Sequence, residues 1–200
     1  KWASVKFSID GNGRNVELPL KAFHLVIDDD YIDNLVVAND DTTINHHIAF
    51  ILDKSGSMQS IKEEIVDGFN EQVETVVKTS KEENTGETTF SLVTFNDGLE
   101  ELFFEEDISK LKPLKPEEYK PSGTTAMLDA VGYTLNKLEK VQKKTTETID
   151  HHEEGHKFLV IILSDGYENA STDFSYEDIA DKIQQLSDDF TFTYMGANQD

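Results

Sequence analysis

Two short runs, His46–Leu52 and Lys157–Leu163, are almost continuously apolar, and each leads into an aspartate, Asp53 and Asp165. A strand that alternates apolar and polar residues can leave one face in water. A strand that does not must be covered on both faces, which is the condition of a central strand in a parallel sheet flanked by helices. Between the two runs the pattern changes period. Met58, Ile61, Ile65, Phe69, Val73 and Val76 recur at three- and four-residue steps and predict a helix over Ser57–Lys78 with one buried stripe. Met127, Leu128, Val131, Leu135 and Leu138 repeat that spacing, and so do Ile179, Ile183 and Leu186 behind Ser175 and Asp178, a pair suited to a capping box. Thr88–Phe95 and Leu99–Phe104 flank Asn96-Asp97-Gly98 and predict a hairpin, hence one antiparallel edge strand. Phe190–Met195 reads as a last strand. The alternation predicts an α/β fold with a doubly wound, mostly parallel, Rossmann-like sheet over residues 46–200.

Residues 1–45 read as a small β-rich N-terminal extension that covers a sheet edge or belongs to a larger assembly. Gly11-Asn12-Gly13 suits a hairpin turn between Val5–Ile9 and Val16–Leu20, and the acidic run Asp28-Asp29-Asp30 with Asp33 lacks the glycine and glutamate of a calcium-binding loop. Pro113, Pro116 and Pro121 predict an ordered but irregular connection. The Thr-rich stretch from Val141 to Gly155 reads as a frayed helix end followed by a mobile loop.

Charge and composition narrow the function. Forty acidic against 18 basic residues give a net charge of -22, a field that repels phosphate backbones and anionic membranes, so nucleic acid is excluded as a partner. No apolar run reaches the roughly 18 residues of a membrane span, which excludes membrane insertion. The chain has no cysteine, so it offers neither a thiol nucleophile nor a thiolate metal site, and a cytoplasmic location is the expectation. His152-Glu153-Glu154-Gly155-His156 matches the zinc-peptidase string, but that chemistry needs a helix to put both imidazoles on one face, and Gly155 and the following strand oppose one.

In a doubly wound sheet ligands bind beyond the carboxyl ends of the strands. Three loops there carry oxygen donors: Asp53-Lys54-Ser55-Gly56-Ser57, Ser122-Gly123-Thr124-Thr125 and Ser164-Asp165-Gly166. Singly, each is an ordinary cap or turn. Together they offer two carboxylates and three hydroxyls, with no imidazole or thiolate, a donor set suited to magnesium, which favours about six hard oxygens. Gly56, Thr124 and Gly166 border the same point. Glu168 and Asn169 are close enough in sequence to line its rim, or are simply solvated.

The combination of Asp53-x-Ser55-x-Ser57, a threonine opening a later helix and Asp165-Gly166 after a central strand resembles the metal-ion-dependent adhesion site of von Willebrand factor type A domains. Asp165-Gly-Tyr-Glu-Asn-Ala-Ser171 and Gly196-Ala-Asn-Gln-Asp200 are most similar to the bacterial and phage branch. The resemblance implies that Ser55, Ser57 and Thr125 bind the metal directly while Asp53 and Asp165 act mainly through waters. Thr125 is preferred because its step to Asp129 matches the family's Gly-x-Thr-Ala-x-x-Asp-Ala pattern; Thr124 is the alternative. The family's sheet continues through a further helix and strand beyond the Gly-Ala-Asn-Gln-Asp segment, so either that edge element is lacking here or something else covers the edge.

The expected function is therefore a protein–protein interaction module rather than an enzyme, its Mg2+ (Mn2+ or Ca2+ as alternatives) accepting a Glu or Asp from a partner protein. An adaptor role beside a ring ATPase of chelatase or chaperone type is one alternative. A hydrolase using Asp53 or Asp165 as base is another.

Overall fold

The computed structural model describes residues 3–5, 43–82, 86–148 and 154–196. In chain order these form β1 (Ala3–Val5), β2 (Thr43–Asp53), a 3-10 turn (Gly56–Ile61) continuous with α1 (Lys62–Glu82), β3 (Thr88–Phe95), β4 (Leu99–Asp107), α2 (Met127–Thr148), β5 (Glu154–Ser164), α3 (Tyr176–Gln185) and β6 (Phe190–Gly196). The strands make one sheet in the order β1-β6-β5-β2-β3-β4. β6, β5, β2 and β3 run parallel, whereas β4 returns antiparallel on β3 and β1 lies antiparallel on β6.

Both faces of the two apolar runs are covered, as their sequences demand. Ile48, Phe50 and Leu52 of β2 pack with Leu159, Ile161 and Leu163 of β5 under Ile65, Val66 and Phe69 of α1. The intervening residues Ala49, Ile51, Phe158 and Val160 face the other way, against Leu128, Val131, Leu135 and Leu138 of α2 and Ile179 of α3. Each such fully buried aliphatic or aromatic side chain contributes roughly 1.5–3 kcal/mol of transfer free energy. The chain leaves β2 toward β3 through α1 and returns to the opposite side of β2 through α2. Strand order thus reverses between β2 and β5, and the crevice lies beyond Asp53 and Ser164.

The hairpin, the capping box and the irregular connection take their expected form. Ser175 accepts from the Asp178 backbone while the Asp178 carboxylate accepts from the Ser175 backbone and hydroxyl. In the Pro-rich connection Asn70 of α1 exchanges two hydrogen bonds with the Leu114 backbone, which fixes the segment without regular structure. The second antiparallel edge, β1 on β6, comes from within the N-terminal stretch. The expected Gly11–Gly13 hairpin turn, the Asp28–Asp33 acidic turn and residues 197–200 lie outside the described residues.

One expectation is corrected. The frayed end and the loop expected over Val141–Gly155 are shorter than expected: α2 runs to Thr148 and β5 already begins at Glu154, while residues 149–153 lie outside the described residues. Thr145 and Thr146 hydroxyls donate back to the Gln142 carbonyl along the last turns of α2. β5 starts early because β2 does, with Thr43 opposite Glu154 and Asn45 opposite His156. His156 is accordingly a strand residue, its Nδ1 2.9 Å from His47 Nε2 and its ring stacked on that imidazole. The other side of His47 meets Glu105 at 2.6 Å. Glu105 has a left-handed backbone (φ 54) beside the register shift in the β3–β4 pair. His152 lies outside the described residues.

Candidate functional site

The three loops named from sequence converge at the crevice. Asp53, the last residue of β2, is fully buried, and its Oδ1 accepts from the Ser55 backbone at 2.6 Å while its Oδ2 accepts from the Ser164 hydroxyl at 2.5 Å. The Ser57 hydroxyl donates to Asp165 Oδ1 at 2.6 Å, and Ser55 Oγ lies 3.1 Å from Ser57 Oγ. A β-carbon added at Gly166 would stand 3.2 Å from Thr125 Oγ1 and 3.9 Å from Asp53 Oδ2. Glycine at 166 therefore keeps a cradle open between the threonine hydroxyl and the first carboxylate.

Thr125 and Thr124 part company. Thr125 is 4% exposed and faces the crevice beside Gly166. Thr124 is exposed, and both its backbone N–H and its hydroxyl donate to Asp97 in the β3–β4 turn. That turn grips the whole second loop, since Asn96 also donates to the Ser122 carbonyl and accepts from the Ala126 backbone. Gly123 sits at φ 77, and a β-carbon there would come within 2.7 Å of the Asp97 carboxylate. Gly56 ties the first loop to the second by donating its N–H to the Gly123 carbonyl at 3.1 Å.

The rim residues are occupied by the fold. Glu168 Oε1 accepts from the backbones of Ala170 and Ser171, and its Oε2 accepts from the Leu128 backbone and the Ser171 hydroxyl. It thus clasps its own loop to the first turn of α2, where a helix leaves N–H groups without intrahelical partners. Burial pushes the Glu168 carboxyl up, but the donors from Ser171, Leu128 and Ala170 outweigh it and hold the group below the usual range. Asn169 exchanges two bonds with the Thr125 main chain. Asp129 completes the clasp by accepting from the backbones of Thr172, Asp173 and Phe174.

Three supporting groups carry no sequence signal of their own. Tyr119, buried in the Pro-rich connection, donates its hydroxyl to the Asp53 carbonyl at 2.5 Å. A lone tyrosine among prolines and lysines follows no period that would mark it as a core residue. Ser164 and Asp97 stood within named loops, but their partners lie far off in sequence.

The donor set fits a hard divalent cation. Burial raises the Asp53 carboxyl above its ordinary value despite the Ser164 and Ser55 donors, and the neighbouring Asp165 charge raises it further. Lys54, next in sequence, is directed to Glu100 instead. Two carboxylates and three hydroxyls around one cradle are short of positive charge, which a small dication supplies. Among the described residues no three carboxylate or imidazole groups form a metal cluster, so such an ion would depend on the hydroxyls, as magnesium chemistry permits.

The family model of the von Willebrand factor type A domain matches residues 47–200. The chain belongs to that family. Domains of this family typically mediate metal-dependent protein interactions. A comparison with curated proteins gives no match. Among solved structures, the von Willebrand factor domain of the type V pili tip protein Mfa5 from Porphyromonas gingivalis is similar at 16% identity and TM-score 0.41, covering 64% of this chain and 39% of that one. The ArnB paralog VWA2 from Sulfolobus acidocaldarius is similar at 18% identity and TM-score 0.43, covering 76% and 34%. Proximal thread matrix protein 1 from the mussel byssus, in a structure with a zinc-occupied MIDAS motif, is similar at 19% identity and TM-score 0.40, covering 76% and 35%. The chain thus spans between a third and two fifths of the length of these proteins. Among the described residues no helix is long and apolar enough to cross a membrane.

Proposed function

We propose that this von Willebrand factor type A domain is a divalent-metal-dependent protein-interaction module, with residues 46–200 as the domain and 1–45 as its extension. Ser55, Ser57 and Thr125 hold Mg2+ directly, and Asp53 and Asp165 hold it mainly through waters. The bound ion supplies a Lewis-acidic position that accepts a Glu or Asp side chain from a partner. The observation that carries this reading is the convergence of the three loops on one cradle where strand order reverses, with Thr125 turned inward and Thr124 outward. The motif Asp165-Gly-Tyr-Glu-Asn-Ala-Ser171 supports a place in the bacterial and phage branch.

Binding rather than hydrolysis is supported by the placement of the imidazoles. His46 and His47 open the apolar part of β2, and six residues of strand at roughly 3.3 Å each set His47 about 20 Å from Asp53. Among the described residues, where His156 lies beside His47, the carboxylates therefore have no imidazole next to them to share general acid–base work.

The test is partner capture from native lysate with wild-type protein in magnesium, wild-type protein in chelator, and Asp53→Ala in magnesium. A partner retained only in the first sample, and lost when its own surface Asp and Glu residues are neutralised, supports the metal bridge. A partner retained in all three contradicts it, and if that partner is a ring ATPase the adaptor alternative replaces it.

A further inference from the structure

The rim of the site is chemically two-sided. Toward β4 it is anionic, with Asp97 and Glu100 at the turn and strand beside Lys54. Toward β6 it is aromatic. Tyr167 follows Asp165-Gly166 directly and is 92% exposed, and Tyr176, the first residue of α3, is 65% exposed. Tyr194 belongs to β6, where it pairs opposite Ile162 near the end of β5.

The position of Tyr167 is imposed by its neighbours. On one side Gly166 abuts the Thr125 hydroxyl, and on the other Asn169 is bonded to the Thr125 backbone through both its amide N–H and its side chain. Glu168 is held in turn by the Leu128 backbone, and Tyr167 is left in solvent. Adjacent Cα atoms are about 3.8 Å apart, so the Tyr167 backbone directly adjoins the glycine of the cradle. A large aromatic surface left in water costs free energy, and tyrosine is among the residues that dominate protein contacts, because its flat ring covers much area with few rotatable bonds.

We propose that Tyr167 is a specificity-determining contact and that the partner presents its metal-binding carboxylate next to an aromatic residue that stacks on the Tyr167 ring. This rests on the metal-bridged reading above.

The probes are three acetylated, amidated tripeptides, Gly-Glu-Gly, Gly-Glu-Phe and Phe-Glu-Gly, titrated in saturating magnesium and followed by NMR. At least one Phe-containing peptide is expected to bind about threefold to tenfold more tightly than Gly-Glu-Gly, the range of an aromatic pair. The advantage should vanish in Tyr167→Ala and persist in Tyr167→Phe, with magnesium affinity and the circular dichroism spectrum equal in all three proteins. If the three peptides bind wild-type protein equally, or the advantage survives in Tyr167→Ala, the aromatic contact is wrong while the metal bridge stands. If no peptide binds in magnesium, both are wrong.

Discussion

Replacing Glu168 by alanine removes one acceptor from four donors: the Leu128, Ala170 and Ser171 backbones and the Ser171 hydroxyl. The Leu128 N–H belongs to the first turn of α2, and losing a capping acceptor there costs about 0.5–2 kcal/mol. The other three donors stand in a half-exposed loop where water takes over, so about 0.5 kcal/mol each is appropriate, toward the low end of net hydrogen-bond values. The total is about 2–3.5 kcal/mol, which for a chain of this size lowers the melting temperature by roughly 4–14 °C. Glu168→Gln keeps one acceptor oxygen but points an amide N–H at a donor, so about half of the loss is expected. Because the Glu168 carboxyl is held below the usual range, its contribution is present above the ordinary glutamate pKa and fades as pH falls through the lower folded value; the deficit of Glu168→Ala should shrink in strong acid. Differential scanning calorimetry from neutral to acid pH reads all three. If Glu168→Ala melts within 1 °C of wild type yet loses magnesium affinity, Glu168 is a metal-rim residue and the clasp is refuted.

His46 is buried, both its ring nitrogens lack a hydrogen-bond partner among the described residues, and burial, with the His47 and Lys157 charges, lowers its pKa to about 4. Its neutral form is thus the folded form: stability is intact above pH 6.5 and falls as pH drops toward and through 4, by up to about 3 kcal/mol at about 1.4 kcal/mol per pKa unit. His46→Leu should flatten that part of the melting-temperature profile. Gly123→Ala should cost about 1–2 kcal/mol for its left-handed backbone and weaken magnesium binding as well, since the added carbon displaces Asp97 from Thr124; calorimetric titration checks both. Tyr119→Phe removes the hydroxyl that serves the Asp53 carbonyl and should cost about 1–3 kcal/mol in thermal unfolding for a buried acceptor left unpaired.

The parts of the fold that were legible in the sequence are those written as a period. β2 and β5 showed as unbroken apolar runs because both faces are buried, and α1 and α2 showed as stripes because one face is. Strand and helix ends were less legible. The early start of β5 is set by pairing with β2, a contact across more than a hundred residues of sequence, and nothing within Glu154-Gly155-His156 announces it. The same holds at the site. Asp53, Ser55, Ser57 and Asp165 stand at the ends of legible elements, so their convergence could be argued from topology. The clasps made by Asp97, Asp129 and Glu168 join loops that are distant along the chain, and a carboxylate that accepts backbone N–H groups looks in sequence like one facing water. Glu168 could be placed near the rim by its number, but its occupation by α2 follows only from the folded geometry.

The central claim is that Ser55, Ser57, Thr125, Asp53 and Asp165 together hold one divalent ion, and titration of Mg2+ into metal-free protein by isothermal calorimetry tests it most directly. Wild-type protein should show a single site that raises the melting temperature by mass action. Ser55→Ala combined with Thr125→Ala should abolish the heat and the stabilisation while leaving the far-ultraviolet spectrum unchanged, because both hydroxyls lie in loops rather than within the packed elements. Unaltered magnesium affinity in the folded double variant would contradict the assignment.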